Sequence, residues 1–139
     1  RIVAETVKFG LPESNLGLLP GLGGTQRLPR FIGIGRAKEV IMANRLINAR
    51  EAVEFGIAMK AVPREELMEH ALALARLLAR KSPASLNYAK KVINASEYAD
   101  PATGILLENT AFDAVLRLED TREGINAFLE KRTPVFQGK

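Results

Sequence analysis

Cysteine is absent from this chain. That excludes a disulfide framework, a thiolate metal site and a cysteine nucleophile. It fits a reducing compartment without requiring one. A single histidine, His70, rules out any multi-histidine metal site. Aromatic residues are only 6% and do not interleave with basic ones, which argues against a base-stacking platform for nucleic acid. The net charge of +4 is not gathered into one basic run, which argues the same way and gives at most a mild preference for an anionic ligand. No apolar run reaches the roughly 18 residues that a membrane helix needs.

What is present is ordinary for a globular protein. Apolar residues are 47% and charged residues 26%, and 139 residues suffice for one domain with its own core. The start, Arg1-Ile2-Val3-Ala4, reads neither as a signal peptide nor as a natural beginning, since an extended segment opens without Met. The expectation is a piece of a longer protein.

Local patterns predict the elements. Residues 2–9 read as a strand or two short extended pieces. A helix over 25–32 should kink or stop early at Pro29, and a second should run from Arg36 to Asn44. Asn48-Ala49-Arg50-Glu51 is a capping box for a helix ending at Phe55, with Gly56 as a left-handed stop. A strand over 57–62 follows, ended by Pro63. The rest is helical. Leu67, Ala71, Leu74 and Leu78 should form a core stripe on the helix over 65–80. Ser82-Pro83 and Asp100-Pro101 open helices with a cap and a first-turn proline. Asp120-Thr121-Arg122-Glu123 reads as another capping box, and residues 133–139 read as a tail. On the helix over 101–119, Ile105, Leu107, Phe112, Val115 and Leu116 spread over more than half the circumference. So wide an apolar arc predicts packing on another subunit or on a missing part of the same protein.

Two constellations bear on chemistry. Pro12 fixes the backbone so that the chain turns at the Glu13 carboxylate. On spacing alone this Glu is better explained by its place in a first helical turn, where it interacts with the dipole. The run Gly21-Leu22-Gly23-Gly24 precedes a helix. Its N–H groups could approach an anion, or its glycines could serve tight packing. It matches neither the dinucleotide fingerprint nor the P-loop. His70 sits on a helix flank with no acid or hydroxyl partner in view. The pairs Lys90-Lys91 and Lys131-Arg132 read as solvated faces.

Taken together, five segments resemble the crotonase superfamily, especially its enoyl-CoA hydratases. They are Phe9-Gly10-Leu11-Pro12-Glu13; Leu16 to Leu28 with its glycine run; Ala49-Arg50-Glu51-Ala52 with Phe55-Gly56; Lys81-Ser82-Pro83 with Ala89-Lys90; and Glu123 to Arg132. The resemblance covers the whole chain but only the C-terminal half of the family's length. It implies an α-rich α/β fold: over 1–62 the end of a ββα spiral carrying a catalytic Glu, and over 63–139 a helical trimerisation region.

By the same resemblance Glu13 matches the second catalytic glutamate and Gly21 a glycine lining the site. Phe112 and Lys131 match positions that contact coenzyme A on a neighbouring subunit. The oxyanion hole and the first glutamate belong to the other half of such enzymes. The implied activity is hydration of an enoyl-CoA thioester in fatty-acid or related acyl-CoA metabolism, with no cofactor beyond the thioester substrate. The implied state is a homotrimer or hexamer in the bacterial cytoplasm or mitochondrial matrix. The alternatives are an enoyl-CoA isomerase or a non-catalytic oligomerisation fragment.

Overall fold

A computed structural model describes residues 1–139. Helices hold 61% of the residues and strands are few, as the α-rich expectation requires. The chain forms two compact units, Arg1–Ala73 and Leu74–Lys139. No helix is long and apolar enough to cross a membrane.

In the first unit the extended start divides into two pieces, β1 (Ile2–Ala4) and β2 (Lys8–Phe9). β1 pairs in parallel with β4 (Lys60–Val62), Val3 opposite Ala61. β2 pairs antiparallel with β3 (Ile47–Asn48), Phe9 opposite Ile47. Two-stranded sheets are marginal by themselves. The helices between them supply the missing burial: α1 (Gly24–Ile32), α2 (Ile34–Met42) and α3 (Ala49–Glu54). Val3, Ile32, Ala37, Val40, Ile47, Ala49, Ala52, Ile57 and Ala58 form one buried cluster.

Pro29 neither stops nor shortens α1, which runs on to Ile32. It sits in the second turn, so its missing N–H leaves one helical bond unmade. The capping box at Asn48 forms as expected. Asn48 Oδ1 accepts from the Glu51 N–H, and Glu51 Oε2 accepts from the Asn48 N–H, each at 3.0 Å. The Asn48 N–H and the Arg45 guanidinium hold the Glu51 carboxyl below its ordinary range. Gly56 takes φ +78°, the left-handed stop that a side chain would strain. The strand expected over 57–62 begins only at Lys60. Ala58 turns its N–H back to the Ala52 carbonyl at 2.8 Å, so this stretch closes onto α3 instead.

A 3₁₀ turn, Arg64–Glu66, leads into α4 (Leu67–Ala79), which carries the chain into the second unit. Of its expected stripe, Leu67, Ala71 and Leu74 are half-buried and Leu78 is exposed. α5 (Pro83–Ala95) is capped by the Ser82 hydroxyl. α6 (Pro101–Leu116) is capped by Asp100, which accepts from the Ala102 and Thr103 N–H groups at 3.0 and 3.1 Å. No residue of α6 is buried, and Phe112 is 61% exposed.

The structure corrects the reading of Asp120. The N-cap position of α7 (Glu119–Leu129) is Leu118, and Asp120 lies inside the first turn, buried. Its carboxylate accepts from the Gln137 and Gly138 N–H groups at 2.7 and 2.9 Å, and its own N–H donates to the Lys139 carbonyl at 3.0 Å. Glu123 takes both guanidinium nitrogens of Arg132, at 2.6 and 2.8 Å, and the Val135 N–H at 2.8 Å. The expected tail is therefore a strap held by two carboxylates. The pattern Asp-x-x-Glu is the same whether the partners are local or distant, and here the distant ones win.

The Ser82 hydroxyl and the strap N–H groups lower the Asp120 carboxyl. Arg132, then the Val135 N–H, holds Glu123 at about 2, below its ordinary 4.5. A depressed carboxyl contributes stability that is complete above its unfolded value and lost as pH falls through its folded value. Strap docking is therefore expected to weaken between pH 4.5 and about 2. The protection factor of the Val135 amide against hydrogen exchange checks this, and a factor constant across that window would contradict it.

Candidate functional site

The chain reaches Glu13 from Leu11, whose backbone is extended at φ −130° and ψ 84°. Pro12 then opens a 3₁₀ turn, Pro12–Leu16, with Glu13 its second residue. The turn closes through the Gly17 N–H to the Ser14 carbonyl and the Leu18 N–H to the Glu13 carbonyl, both 3.1 Å. The carboxylate Oε2 is buried and makes no hydrogen bond to any protein group. Buried polar atoms nearly always find a partner, so this unpaired oxygen stands apart from the rest of the unit.

The glycine run lies directly downstream. The Gly24 N–H donates to the Gly21 carbonyl at 3.1 Å, and the Gln26 and Arg27 N–H groups reach the Gly23 carbonyl at 3.1 and 2.8 Å. The Arg27 guanidinium bonds the Leu22 carbonyl at 2.7 Å. Gly24 serves close approach: a Cβ there would lie 2.7 Å from Pro20 Cβ and 3.4 Å from the Leu11 side chain. Pro20 is itself fully buried. Of the two readings of this run, tight packing therefore accounts for Gly24. Gly21 is different, for a Cβ there would meet nothing within 4 Å. Around these residues Leu16, Leu18, Leu19 and Leu22 all point into solvent, Leu22 at 97% exposure.

In the second unit, Phe112 lines an apolar groove between α5 and α6 with Tyr88, Val92, Ile93, Glu108 and Val115. Lys131 is not part of this groove. It follows α7 with φ +53° and an exposed side chain.

His70 corrects one expectation, because it does have an acid neighbour. Its Nε2 lies 3.4 Å from Glu66 Oε2, one helical turn back, and Lys60 Nζ lies 3.2 Å from Nδ1. All three lie toward the surface and no hydroxyl joins them, so the cluster is a solvated polar contact.

Sequence reasoning missed Ser14 and Asn44. The Ser14 hydroxyl donates to the Ile41 carbonyl and to Asn44 Oδ1, each at 2.9 Å, and Asn44 Nδ2 donates to Asn15 Oδ1 at 2.7 Å. The available signal was an Asn just past a helix end, where a left-handed residue is common.

The profile of the enoyl-CoA hydratase/isomerase family matches residues 1–139. The chain belongs to that family. A 2,3-dehydroadipyl-CoA hydratase of Escherichia coli (strain K12) is 39% identical over 99% of the chain and 54% of its own length. An enoyl-CoA isomerase/hydratase of Mycosarcoma maydis is 40% identical over 100% of the chain and 51% of its own. The crystal structure of an enoyl-CoA hydratase from Bacillus anthracis superposes with a TM-score of 0.96 at 44% identity, over 100% of the chain and 54% of that structure. The chain thus spans about half the length of the curated relatives it matches. It has the architecture of the corresponding part of an enoyl-CoA hydratase/isomerase, as the crotonase resemblance implied.

Proposed function

We propose that this chain carries one carboxylate of an enoyl-CoA hydratase site, Glu13, and acts with residues that the other half of a family member supplies. The observation that carries the reading is the buried Glu13 Oε2 without a protein partner, at a turn directly before the glycine run. Hydration places a hydroxyl on C3 of the enoyl thioester and a proton on C2. One group takes a proton from water while its oxygen attacks C3, and one gives a proton to C2. Polarisation of the thioester carbonyl stabilises the enolate-like charge between these events. Glu13 is one of the two groups, and the first glutamate and the carbonyl-polarising N–H groups come from the other half.

Gly21, where an added Cβ would meet nothing within 4 Å, is the glycine that lines the site for the acyl chain. Phe112 and Lys131, both exposed, are the coenzyme A contacts toward a neighbouring subunit, Lys131 as a point charge for phosphate. The apolar faces of α6 pack between copies in a homotrimer or a hexamer. The enzyme is a lyase of fatty-acid or related acyl-CoA metabolism, in a bacterial cytoplasm or a mitochondrial matrix, and needs no cofactor beyond its thioester substrate. Isomerase chemistry is the second reading, favoured by the isomerase/hydratase name of the Mycosarcoma maydis relative.

The test is hydration of crotonyl-CoA by two preparations: the chain alone, and the chain joined behind the N-terminal half of the Bacillus anthracis hydratase. The chain alone should show no turnover and the joined protein should hydrate. Turnover of a 3-enoyl-CoA without hydration of crotonyl-CoA would favour the isomerase. Full hydration by the chain alone would overturn the division of the site.

A further inference from the structure

We propose that Ser14 and Asn44 are positioning residues for Glu13, forming a clasp that ties its turn to the end of α2. The inference rests on the reading of Glu13 as a catalytic carboxylate. Its physical basis is that no hydrogen bond holds the buried Oε2 of the carboxylate. The direction of the side chain is then set by packing, by its rotamer and by the backbone beneath it. That backbone is a five-residue 3₁₀ turn, Pro12–Leu16, with no side-chain cap at its start and no buried residue within it. Short 3₁₀ turns have poor hydrogen-bond geometry and little stability of their own.

The clasp supplies what the turn lacks. α2 ends at Met42, so the Ile41 carbonyl is among the last four that have no helical donor. The Ser14 hydroxyl provides one at 2.9 Å. Asn44 stands two residues beyond α2 with φ +54°, a left-handed conformation that costs most residues energy and that Asn tolerates. In that conformation its amide faces the turn, with Oδ1 2.9 Å from Ser14 Oγ and Nδ2 2.7 Å from Asn15 Oδ1. Ser14 has one hydroxyl proton, shared between two acceptors, so loss of Asn44 leaves Ser14 bonded to Ile41 but removes the amide's own contacts to Ser14 and Asn15. The residues gripped are the two directly after Glu13. A catalytic group misplaced by about 1 Å can lose about a hundredfold in rate.

Three substitutions in the joined enzyme separate positioning from folding. Ser14→Ala removes the hydroxyl. Asn44→Gly removes the amide yet accepts φ +54° more easily than Asn, so it does not strain the backbone. Ser14→Thr keeps a hydroxyl and should rescue. With crotonyl-CoA, Ser14→Ala and Asn44→Gly should each lower kcat about tenfold to a hundredfold with KM unchanged. The double variant should lose less than the product of the two, because both act through one clasp. In the chain itself, the Gly17 and Leu18 amides that close the turn should exchange faster in both variants, while the Phe55 and Ala58 amides keep their protection.

Unchanged kcat in Ser14→Ala and Asn44→Gly, with Glu13→Gln inactive, overturns the positioning role alone. Full activity of Glu13→Gln overturns the catalytic reading and the clasp's purpose with it. A parallel rise in KM, or no rescue by Thr, also counts against positioning.

Discussion

Glu13→Gln is expected to lower kcat for crotonyl-CoA in the joined enzyme by roughly 10²- to 10⁴-fold, the usual range for one acid/base group. KM should change little, because the carboxylate acts on water and the α-carbon rather than on the coenzyme A portion. Stability should also change little. Gln has nearly the same shape, and the turn is closed by the Gly17 and Leu18 N–H groups, not by the side chain. Since Oε2 makes no hydrogen bond, the substitution breaks none at that atom. Steady-state kinetics beside a thermal melt decide it: an unchanged kcat removes Glu13 from the mechanism, and a large drop in melting temperature would assign it a structural role.

Ile47→Ala is expected to destabilise the first unit by about 2–5 kcal/mol. Ile47 is 1% exposed, among the largest fully buried side chains, and it sits on the short strand that pairs with Phe9. Its loss removes apolar burial and leaves a cavity between β3 and the helices. Domain stabilities are commonly about 5–15 kcal/mol, so this single change consumes a large part of the total. Urea unfolding, with Ile47→Val as the reference at about 0.5–1.5 kcal/mol, provides the measurement. A loss under 1 kcal/mol would mean that the site collapses freely and that Ile47 is not a keystone. The effect reaches the site as well, since the β2–β3 pairing fixes Phe9 four residues before Glu13.

Local chemistry was legible in the sequence. The Asn48 box, the Gly56 stop and the caps at Ser82 and Asp100 each depend on residues within a few positions of one another. The turn at Glu13 was readable for the same reason, because Pro12 constrains both itself and Leu11. Distant partners were not readable. Asp120 and Glu123 spell a capping box, yet the first bonds Gln137 and Gly138 and the second Arg132 and Val135. Glu66 was missed beside His70 although it lies one helical turn away. Ser14 and Asn44 are 30 positions apart, and no periodicity joins them. At the candidate site the carboxylate could be named from the sequence, whereas the groups that hold its turn required three dimensions.

The buried cluster of the first unit has a consequence for how this protein tolerates change. Four of its nine members are alanines: Ala37, Ala49, Ala52 and Ala58. Burying an alanine freezes no side-chain rotamer, so these contacts form without that entropic opposition. The same economy removes slack. At such positions nearly every replacement is an enlargement, and a close-packed interior answers enlargement with displaced backbone. The mutational tolerance of this unit is therefore lopsided. Its aliphatic sites can lose a methylene and survive weakened, while enlarging Ala52, at 0% exposure, costs about 1–3 kcal/mol in displaced side chains and backbone.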